Sequence, residues 1–470
     1  RWDLNKNSDV ASLRLKGGTV QFAARTGGFR KLTVGTLGGT GGVIGLNTVL
    51  NEGGAATQSD LLHVTGNASG QHKLAISNQG GTGAQTVGDG IKVVQVDGQS
   101  PANNFALANS VQAGAYEYQL FQGGADSASN WYLRSEYQNG QDGGEGGGQG
   151  GGGSGGGGNS PDVPAPAPSY RPAVPGYALT PALNLNYGFA TLGRLHERVG
   201  DIHSLQKGGN LMGKDGVWAR IGGNNLDAES GRFGASQQDF FAQFGKDWEV
   251  ARDSEGGHSN AGATVTLGSG NGRFRDSARA IDPNLTVRTG SVDTEAQSIG
   301  GYYTKYWSDG SYFDGVGQVS RFSNKYSDVT GVTGKQNGYG IAISGEVGKP
   351  FTIASNGLAI EPQAQLVYQY LNLDDFNDQV SRVSADSQDA LRGRVGVRLF
   401  KPNSTLEGEP GVVTPYITAD VLHDFLSPGA TWVGGTGFER GLSKTWYELG
   451  IGFTGNVNKN GEFYANVKYG

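Results

Sequence analysis

The chain of 470 residues contains no cysteine, which excludes disulfide bridges and thiolate metal sites. It also has no apolar run near the ~20 residues that a membrane-spanning helix requires. The net charge of -6 argues against a nucleic-acid partner, because nucleic acids bind basic surfaces. A mean hydropathy of -0.41 does not exclude a membrane barrel, whose strands alternate polar with apolar side chains.

Glycine, in contrast, contributes 83 residues, and its distribution separates the chain into regions. Residues 1–138 consist of short β-rich segments, such as 13–22, 61–64 and 91–94, between glycines and polar turns. Short, closely spaced strands are typical of a β-solenoid or a sandwich, and no strict repeat period separates the two. Residues 139–178 are rich first in glycine and then in proline, which predicts a flexible linker.

One helix is predicted after the linker, within residues 179–203. Thr180 and Pro181 are typical of an N-cap and a first helical position, and good helix formers follow to residue 199. Its apolar side chains at helical spacing are Leu185, Phe189, Leu192, Leu195 and Val199. Its charged and titratable side chains are confined to the last two turns, and they are Arg194, His196, Glu197 and Arg198.

Residues 204–470 contain long segments in which apolar and polar side chains alternate. In the segment 360–370 every even-numbered residue is apolar, and Glu361, Gln363 and Gln365 lie between them. A period of two predicts strands whose two faces meet different surroundings. We count about eleven such strands of roughly 10–14 residues with aromatic ends, which favours an outer-membrane β-barrel over a soluble β-domain.

The connections between these strands alternate between short ones, such as 308–311, and long ones, such as 327–337. Bacterial barrels have short periplasmic turns and long external loops, and normally an even number of strands. One more strand is therefore expected after residue 470. The charged side chains predicted to face the lumen, where they could pair with the helix and block the pore, are Asp314, Glu361, Arg392, Arg394, Arg398, Asp420 and Glu448.

Recognisable motifs occur in order through nearly the whole chain outside the linker. In the N-terminal region they include 29–37, which reads FRKLTVGTL, and 59–64, which reads SDLLHV. In the C-terminal region they include 195–201, LHERVGD, and 361–366, EPQAQL. These motifs resemble the type V autotransporters of the pertactin type.

This resemblance implies an all-β chain with the end of a right-handed β-helix passenger, a Gly/Pro-rich linker and a pore helix. An outer-membrane barrel of the 12-stranded type, here without its last strand, would follow. Such a chain secretes and displays its own passenger, and the end of the passenger acts as an autochaperone. The implied core of that autochaperone region consists of Leu61, Leu74, Phe105, Tyr116, Tyr118 and Trp131.

The partners implied by the resemblance are outer-membrane lipid, the outer-membrane β-barrel assembly machinery and periplasmic chaperones. A host-cell or matrix ligand of the passenger is a further implied partner. Two alternatives remain open at this point. The chain could be an adhesin whose barrel is mainly an anchor, or a diffusion porin with an extra domain.

Enzymatic chemistry has little support in the sequence. His63 and His72 lie near Asp60 and Ser69, which could form a triad, but no strained turn or oxyanion signal accompanies them. No catalytic residue, cofactor site or metal ligand is therefore predicted. Some autotransporters cut their own passenger at an asparagine of the pore helix, and the motif of that subgroup is absent here. The asparagines at the corresponding place are Asn184 and Asn186.

Overall fold

The computed structural model describes residues 1–24, 27–137, 166–200, 216–401, 413–427, 429–439, 444–458 and 461–470. These residues form a β-helix, two α-helices and a large antiparallel sheet that curls around the helices. The all-β class predicted from the sequence is confirmed.

The N-terminal unit is a β-helix whose strands stack in parallel. Leu32 pairs with Leu62, and Leu62 pairs with Val94, so that buried apolar side chains form a column inside the coils. Because the coils contain unequal numbers of residues, no repeat period could be read from the sequence. The solenoid prediction is confirmed, and the sandwich alternative is wrong. The strands are β1 (Trp2–Leu4), β2 (Ser8–Lys16), β3 (Thr19–Phe22), β4 (Lys31–Thr48), β5 (Leu61–Val64), β6 (Gln71–Asn78), β7 (Ile91–Val96), β8 (Phe105–Leu107), β9 (Val111–Ala113), β10 (Tyr116–Gln122), β11 (Trp131–Arg134), β12 (Glu136–Tyr137) and β13 (Ala167–Pro168).

An antiparallel sheet closes the end of the β-helix that comes later in the chain. β11 pairs antiparallel with both β7 and β10, and β10 pairs antiparallel with β9. The ring of Trp131 packs edge-on against Phe105 of the last parallel coil, with 5.4 Å between the ring centroids. We name residues 111–137 the cap, because they cover the apolar interior of the coils at this end.

Five of the six side chains predicted to form the core of this unit are buried, and they are Leu74, Phe105, Tyr116, Tyr118 and Trp131. The prediction for Leu61 is wrong, because this side chain is only half-buried. In β5, Leu62 and Val64 occupy the inward positions. Because side chains alternate along a strand, Leu61 and His63 lie on the other face.

In its described residues the C-terminal unit contains the eleven long strands that the alternation predicts, each paired antiparallel with the next long strand along the chain. Seven of them exceed the predicted 10–14 residues, with 20 residues in the second strand, and the connection predicted at 327–337 is confined to 329–332. The long strands are β14 (Gly216–Ser230), β15 (Phe233–Arg252), β16 (His258–Asp276), β17 (Arg288–Tyr306), β18 (Tyr312–Asp328), β19 (Thr333–Gly348), β21 (Ala359–Leu373), β24 (Gln388–Phe400), β25 (Val413–Asp424), β28 (Thr445–Asn458) and β29 (Gly461–Tyr469).

The connections of this sheet lie alternately at its two ends. We name the end with the connections 231–232, 277–287, 329–332, 374–387 and 425–444 the cap-side end, because these connections approach the cap. The opposite end is the far end. Two cap-side connections carry the small strands β22 (Phe376–Asn377), β23 (Arg382–Ala385), β26 (Thr431–Val433) and β27 (Thr436–Phe438), which form a separate four-stranded sheet. The two-residue strand β20 (Phe351–Thr352) pairs with β21 at the far end.

Two α-helices, α1 (Ala173–Leu192) and α2 (Leu195–Val199), replace the single helix that the sequence predicts at 182–199. Gly193 separates them, because its φ of 65° is incompatible with a continuing helix. In the described part of the chain no helix combines the length and the apolar character needed to cross a membrane.

The predicted helix start and linker end are both wrong. Thr180 is not an N-cap, since its hydroxyl donates a hydrogen bond to the carbonyl of Gly176 at 2.7 Å, and Pro181 lies inside the helix. Pro175 does not prevent this early start, because it falls in the first turn, where a missing N–H costs little. Ordered structure also begins before residue 178, the predicted end of the linker, because β13 precedes α1.

Candidate functional site, a helix inside the barrel

The two faces of the large sheet differ in chemistry. On the outer face Val395, Ile417 and Ile451 are 68%, 54% and 66% exposed. Arg394 and Thr418, their neighbours along the strands, point inward and are buried. A continuous apolar outer face around a polar interior is the arrangement of a membrane barrel.

The helices run through the interior of this sheet from one end to the other. At the cap-side end the rings of Tyr177 and Tyr326 meet edge-on, with 4.9 Å between their centroids. At the far end Leu195 packs with Tyr306 and Tyr312, which flank the connection 307–311. The chain therefore passes through the whole lumen.

Between these ends the apolar residues of α1 pack on inward-facing apolar side chains. Leu185 lies in one buried cluster with Phe322, and Leu192 lies in another with Val367. Phe189 is half-buried and packs against both clusters. The apolar positions that the sequence placed at helical spacing thus contact the barrel wall.

Amide side chains of the barrel contact the polar groups of α1. The Nε2 atom of Gln369 donates to the carbonyl of Leu185 at 3.1 Å. Gln243 donates to the carbonyl of Thr191 at 3.2 Å, and Gln318 donates to its hydroxyl at 3.0 Å. The interior around α1 is therefore polar but mostly uncharged.

The interior around α2 is charged. Arg194 donates to Asp420 at 2.8 Å and also pairs with Glu448. Glu197 accepts a hydrogen bond from Lys468 of the last strand at 2.6 Å. These pairs join α2 to three successive strands, β25, β28 and β29.

Two further pairs join α2 to the opposite wall. His196 Nε2 lies 2.9 Å from Glu361 Oε1. Arg198 donates to both carboxylate oxygens of Asp314, at 2.7 and 2.9 Å, and its guanidinium stacks over the ring of Tyr302. His196, Arg198 and their two carboxylate partners are buried, so these groups depend on one another for solvation.

The other side chains predicted to face the lumen also lie inside the sheet. Arg392 stacks over the ring of Phe189 of the helix, with 3.6 Å to the ring centroid. Arg394 donates to Asp420 at 2.8 Å, and Arg398 lies over two aromatic rings at 4.4 Å each. The structure thus gathers the seven predicted residues around the helix.

Sequence reasoning missed several residues of this interior. Glu346 accepts a hydrogen bond from the backbone of Leu195 at 3.2 Å, and Arg220 donates to the carbonyl of Glu197 at 3.2 Å. Lys468 and the lumen glutamines were missed as well. The alternation of polar and apolar residues could have identified Glu346, because it precedes the outward-facing Val347 in the same strand.

Among the residues described, the side chains of the four residues considered for a triad are not hydrogen-bonded to one another. His63 Nε2 contacts the exposed Asp97 at 2.8 Å, and Asp60 accepts hydrogen bonds from backbone N–H groups. His72 is buried and its Nε2 contacts the carbonyl of Ser69 at 3.1 Å. Burial lowers the pKa of His72 below its ordinary value, and this carbonyl opposes the shift. These groups form no hydrogen-bonded relay among the residues described.

The asparagines considered for self-cleavage lie on α1 inside the barrel, where Asn184 is buried and Asn186 is half-buried. The expectation that neither position is a cleavage site stays a prediction. Within the described ranges, no group of three or more histidine, aspartate or glutamate side chains is arranged to hold a metal ion.

The sequence of the barrel matches a known family of domains. The family described as the autotransporter beta-domain matches residues 217–468, which is more than half of the chain. The chain belongs to the autotransporter family. A second family, described as the autochaperone domain type 1, matches residues 8–120 of the β-helix. The resemblance inferred from the sequence motifs is therefore confirmed.

Two curated relatives of this autotransporter illustrate the similarity. The pertactin autotransporter of Bordetella bronchiseptica is 31% identical over an alignment that covers 100% of this chain and 50% of the relative. The adhesin BmaC autotransporter of Brucella suis is 28% identical, covering 91% of this chain and 12% of the relative. The chain thus spans no more than half the length of these two relatives.

A solved structure supports the fold. The transport unit of the autotransporter AIDA-I from Escherichia coli covers 64% of this chain and 93% of its own, with a TM-score of 0.52 and 18% identity. The family matches show that the barrel is an outer-membrane barrel and that the β-helix is a passenger region exposed at the cell surface. Because the cap belongs to this exposed region and contacts the cap-side connections, the cap-side end of the barrel faces the cell exterior and the far end faces the periplasm.

Proposed function

We propose that this barrel exports the passenger to which it is joined and displays it at the cell surface. The observation that carries the proposal is the course of α1 and α2, which lead from the cap through the lumen to the far end. A passenger that left the cell through this barrel would leave its C-terminal connection in this position. Residues 1–137 are the described part of that passenger.

The charged segment that consists of α2 and its N-cap residue Arg194 is proposed to hold the exported chain in place. Its three basic side chains, Arg194, His196 and Arg198, each lie within hydrogen-bonding distance of a carboxylate of the wall. These pairs lie at the periplasmic end. Because they must break before the helix can move in either direction, they resist its movement. The same packing narrows the path through which ions could cross the lumen.

The β-helix is proposed to assist export by folding outside the cell. Its parallel coils present backbone N–H and C=O groups to which a neighbouring coil can pair. The match to an autochaperone domain supports this role. A coil that has folded at the surface cannot pass back through a lumen that contains a helix, so folding opposes return of the chain.

Several partners follow from this proposal. The exposed apolar outer face of the barrel fits outer-membrane lipid. Assembly would involve the outer-membrane β-barrel assembly machinery and periplasmic chaperones. A host-cell or matrix ligand would bind the passenger, and we propose a non-enzymatic role for the part of the protein that the chain covers.

Surface labelling tests the proposed arrangement, because the chain has no cysteine of its own. Ala102→Cys places a thiol at an exposed site of the β-helix, and Ser308→Cys places one at an exposed site of the far end. A maleimide that cannot cross the outer membrane should label the first variant on intact cells, and the second only after permeabilisation. Labelling in the reverse order would refute the proposal.

Adhesion is a second candidate, favoured by the similarity to the adhesin BmaC autotransporter. Deletion of residues 1–138 separates the two roles when a reporter is attached to the remaining chain. Loss of reporter export supports the autochaperone role. Retained export with loss of binding to host cells supports adhesion by this region.

A further inference from the structure

Four glutamines of the described barrel wall donate hydrogen bonds to main-chain carbonyls of the segment that fills the lumen. The accepting carbonyls lie along α1 and at the residue that follows it, over a length of about 15 Å at the rise of an α-helix. The donors and acceptors are Gln237 with Leu183 at 3.4 Å, Gln369 with Leu185 at 3.1 Å, Gln243 with Thr191 at 3.2 Å and Gln365 with Gly193 at 3.1 Å. We name these four glutamines the amide track. Gln318, which donates to the side chain of Thr191, is not part of it.

The amide track lines two opposite walls of the lumen. Gln237 and Gln243 belong to β15, and Gln365 and Gln369 belong to β21. These strands are the second and the seventh of the eleven long strands in the described sheet. Because that sheet curls around the helices, the two strands face each other across the lumen. A chain in the lumen therefore meets amide donors on two sides.

Neighbouring wall residues orient three of these amides. The amide nitrogen of glutamine carries two N–H groups, and each can donate to a different acceptor. The amides that also donate to the wall are Gln237 to Asp239 at 2.9 Å, Gln243 to Thr266 at 2.8 Å and Gln365 to Ser344 at 3.0 Å. One N–H of each is thus held by the wall, which directs the other towards the occupant of the lumen.

Several polar side chains of the same segment are left unbound by the wall. Asn184 is 1% exposed, and neither its amide oxygen nor its amide nitrogen has a hydrogen-bond partner among the described residues. The same holds for the amide nitrogen of Asn186 and the hydroxyl of Tyr187. The wall therefore binds the main-chain carbonyls on both sides of Asn184 and does not bind its side chain.

Binding through the main chain does not depend on the sequence of the occupant. Every residue has a main-chain carbonyl. A carbonyl oxygen has two lone pairs, so it can accept from a glutamine and from an N–H group of its own helix at the same time. Because glutamine is uncharged, the amide track also forms no ion pairs of the kind that hold α2 at the far end.

We propose that the amide track binds the main chain of the exported polypeptide while it moves through the lumen. A chain that enters the lumen gives up hydrogen bonds between its backbone and water, and a carbonyl left without a partner is costly. The track replaces some of these bonds, and each carbonyl that moves on is followed by another. The partner of this surface is a polypeptide main chain of any sequence. The inference rests on the proposed export function and assigns the residues that ease passage.

The test measures export by the full chain in bacterial cells. After a short pulse of radioactive amino acids, the rate at which the passenger becomes accessible to a protease outside the cell is followed. The variant removes all four donors at nearly constant side-chain length, through Gln237→Met, Gln243→Met, Gln365→Met and Gln369→Met. Export should become about ten-fold slower or more, because the passing chain loses several hydrogen bonds. Heat-modifiable gel migration verifies that the barrel has folded.

The matched control is Gln336→Met in β19. Gln336 is a buried lumen glutamine whose described partners, the hydroxyl of Tyr326 and the carbonyl of Asp374, belong to the barrel. Its export rate should stay within about two-fold of the parent rate, because no hydrogen bond to the passing chain is lost. A parent rate in the four-fold variant with a folded barrel would overturn the inference.

Single variants decide the question if the four-fold variant does not fold. Gln243→Met and Gln369→Met each change one wall, and each should slow export by about three-fold or more, as expected for the loss of one hydrogen bond. Parent rates in both single variants would overturn the inference as well.

The variant Asn184→Ala/Asn186→Ala separates recognition of the main chain from recognition of side chains. The carbonyls that accept from the track remain, so the export rate should stay within about two-fold of the parent rate. A decrease as large as that of the four-fold glutamine variant would show that the wall binds side chains, which would contradict the inference. Failure of the parent chain to display its passenger would instead contradict the export proposal, so the two failures are distinguishable.

Discussion

The β-helix and the barrel are both built from strands with a period of two, but they turn opposite faces inward. In the β-helix Leu62 and Val64 are buried, and His63 between them faces outward. In the barrel the outward positions belong to apolar residues such as Val395, and Arg394 faces the lumen. The surrounding solvent decides which face is covered, because water surrounds one unit and hydrocarbon surrounds the other.

The two interiors also differ in how they are stabilised. The coils of the β-helix are filled by apolar side chains, such as Leu32 and Leu74, that need no specific partner. The lumen holds pairs such as Arg198 with Asp314, in which each group must be solvated by the other. We therefore expect the stability of the β-helix to fall when buried volume is removed, and the stability of the barrel to fall when a charged group loses its partner.

The largest effect is expected from Arg198→Met in the lumen. Asp314 would remain buried without its cation, and loss of one partner of such a pair costs about 3–5 kcal/mol of unfolding free energy. Urea titration of the full chain in detergent measures the loss. The double variant Arg198→Met/Asp314→Asn should recover most of it, and an unchanged stability of the single variant would break the comparison.

In the β-helix the corresponding change is Leu62→Ala. Truncation of a fully buried leucine is expected to cost about 2–5 kcal/mol, since it removes apolar contacts and leaves a cavity. The neighbouring Leu61→Ala is the matched control and should cost clearly less, because Leu61 is half-buried. Proteolysis in increasing urea measures the unfolding of this unit, and equal losses in both variants would contradict the assigned core.

A charge introduced on the outer face of each unit tests whether that face contacts hydrocarbon or water. Val395→Arg places a cation on the lipid-facing surface of the barrel, where it is expected to cost about 2–4 kcal/mol near the bilayer midplane. Ala106→Arg, at an exposed strand position of the β-helix, should change stability by no more than about 0.5 kcal/mol. Unfolding titrations in lipid vesicles compare the stabilities of the two variants. A neutral Val395→Arg would mean that this face does not contact hydrocarbon.

The smallest effect concerns pH and the buried His72. Burial lowers its pKa in the folded chain, so the unfolded chain binds a proton more readily. The β-helix should therefore lose stability as the pH falls below about 6.5, the ordinary histidine pKa, and be stable above it. The urea midpoint of proteolysis at pH 5 and 7.5 measures this change. His72→Gln should remove the part of the pH dependence of stability that comes from this residue. If the pH profile of the variant equalled that of the parent chain, the role of His72 would be refuted.

Much of the barrel could be predicted because alternation survives in each of its strands. Glu361 and Arg394 could be assigned to the lumen by counting from their apolar neighbours, with no knowledge of their partners. The partners themselves could not be predicted. Arg198 and Asp314 are far apart in sequence, and their contact depends on how deeply the helix sits in the barrel.

Predictions from neighbouring residues failed where contacts with distant parts of the chain determine the local structure. Thr180 and Pro181 have the residue types of a helix start, but the lumen wall supports the helix for two turns before them. Adjacent leucines at 61 and 62 gave no local indication of which one faces the core. The proline-rich stretch after the glycines was predicted to be a linker, although part of it forms β13, which pairs with β12 of the cap.

The pairing of β12 with β13 has a practical consequence for engineering. Because residues 137 and 166 are held on adjacent strands, foreign sequence inserted between them would lengthen a side branch without changing the distance from cap to barrel. Such cargo would be carried at a defined height above the bacterial surface. The junction is therefore a natural attachment point for vaccine epitopes or enzymes on living cells.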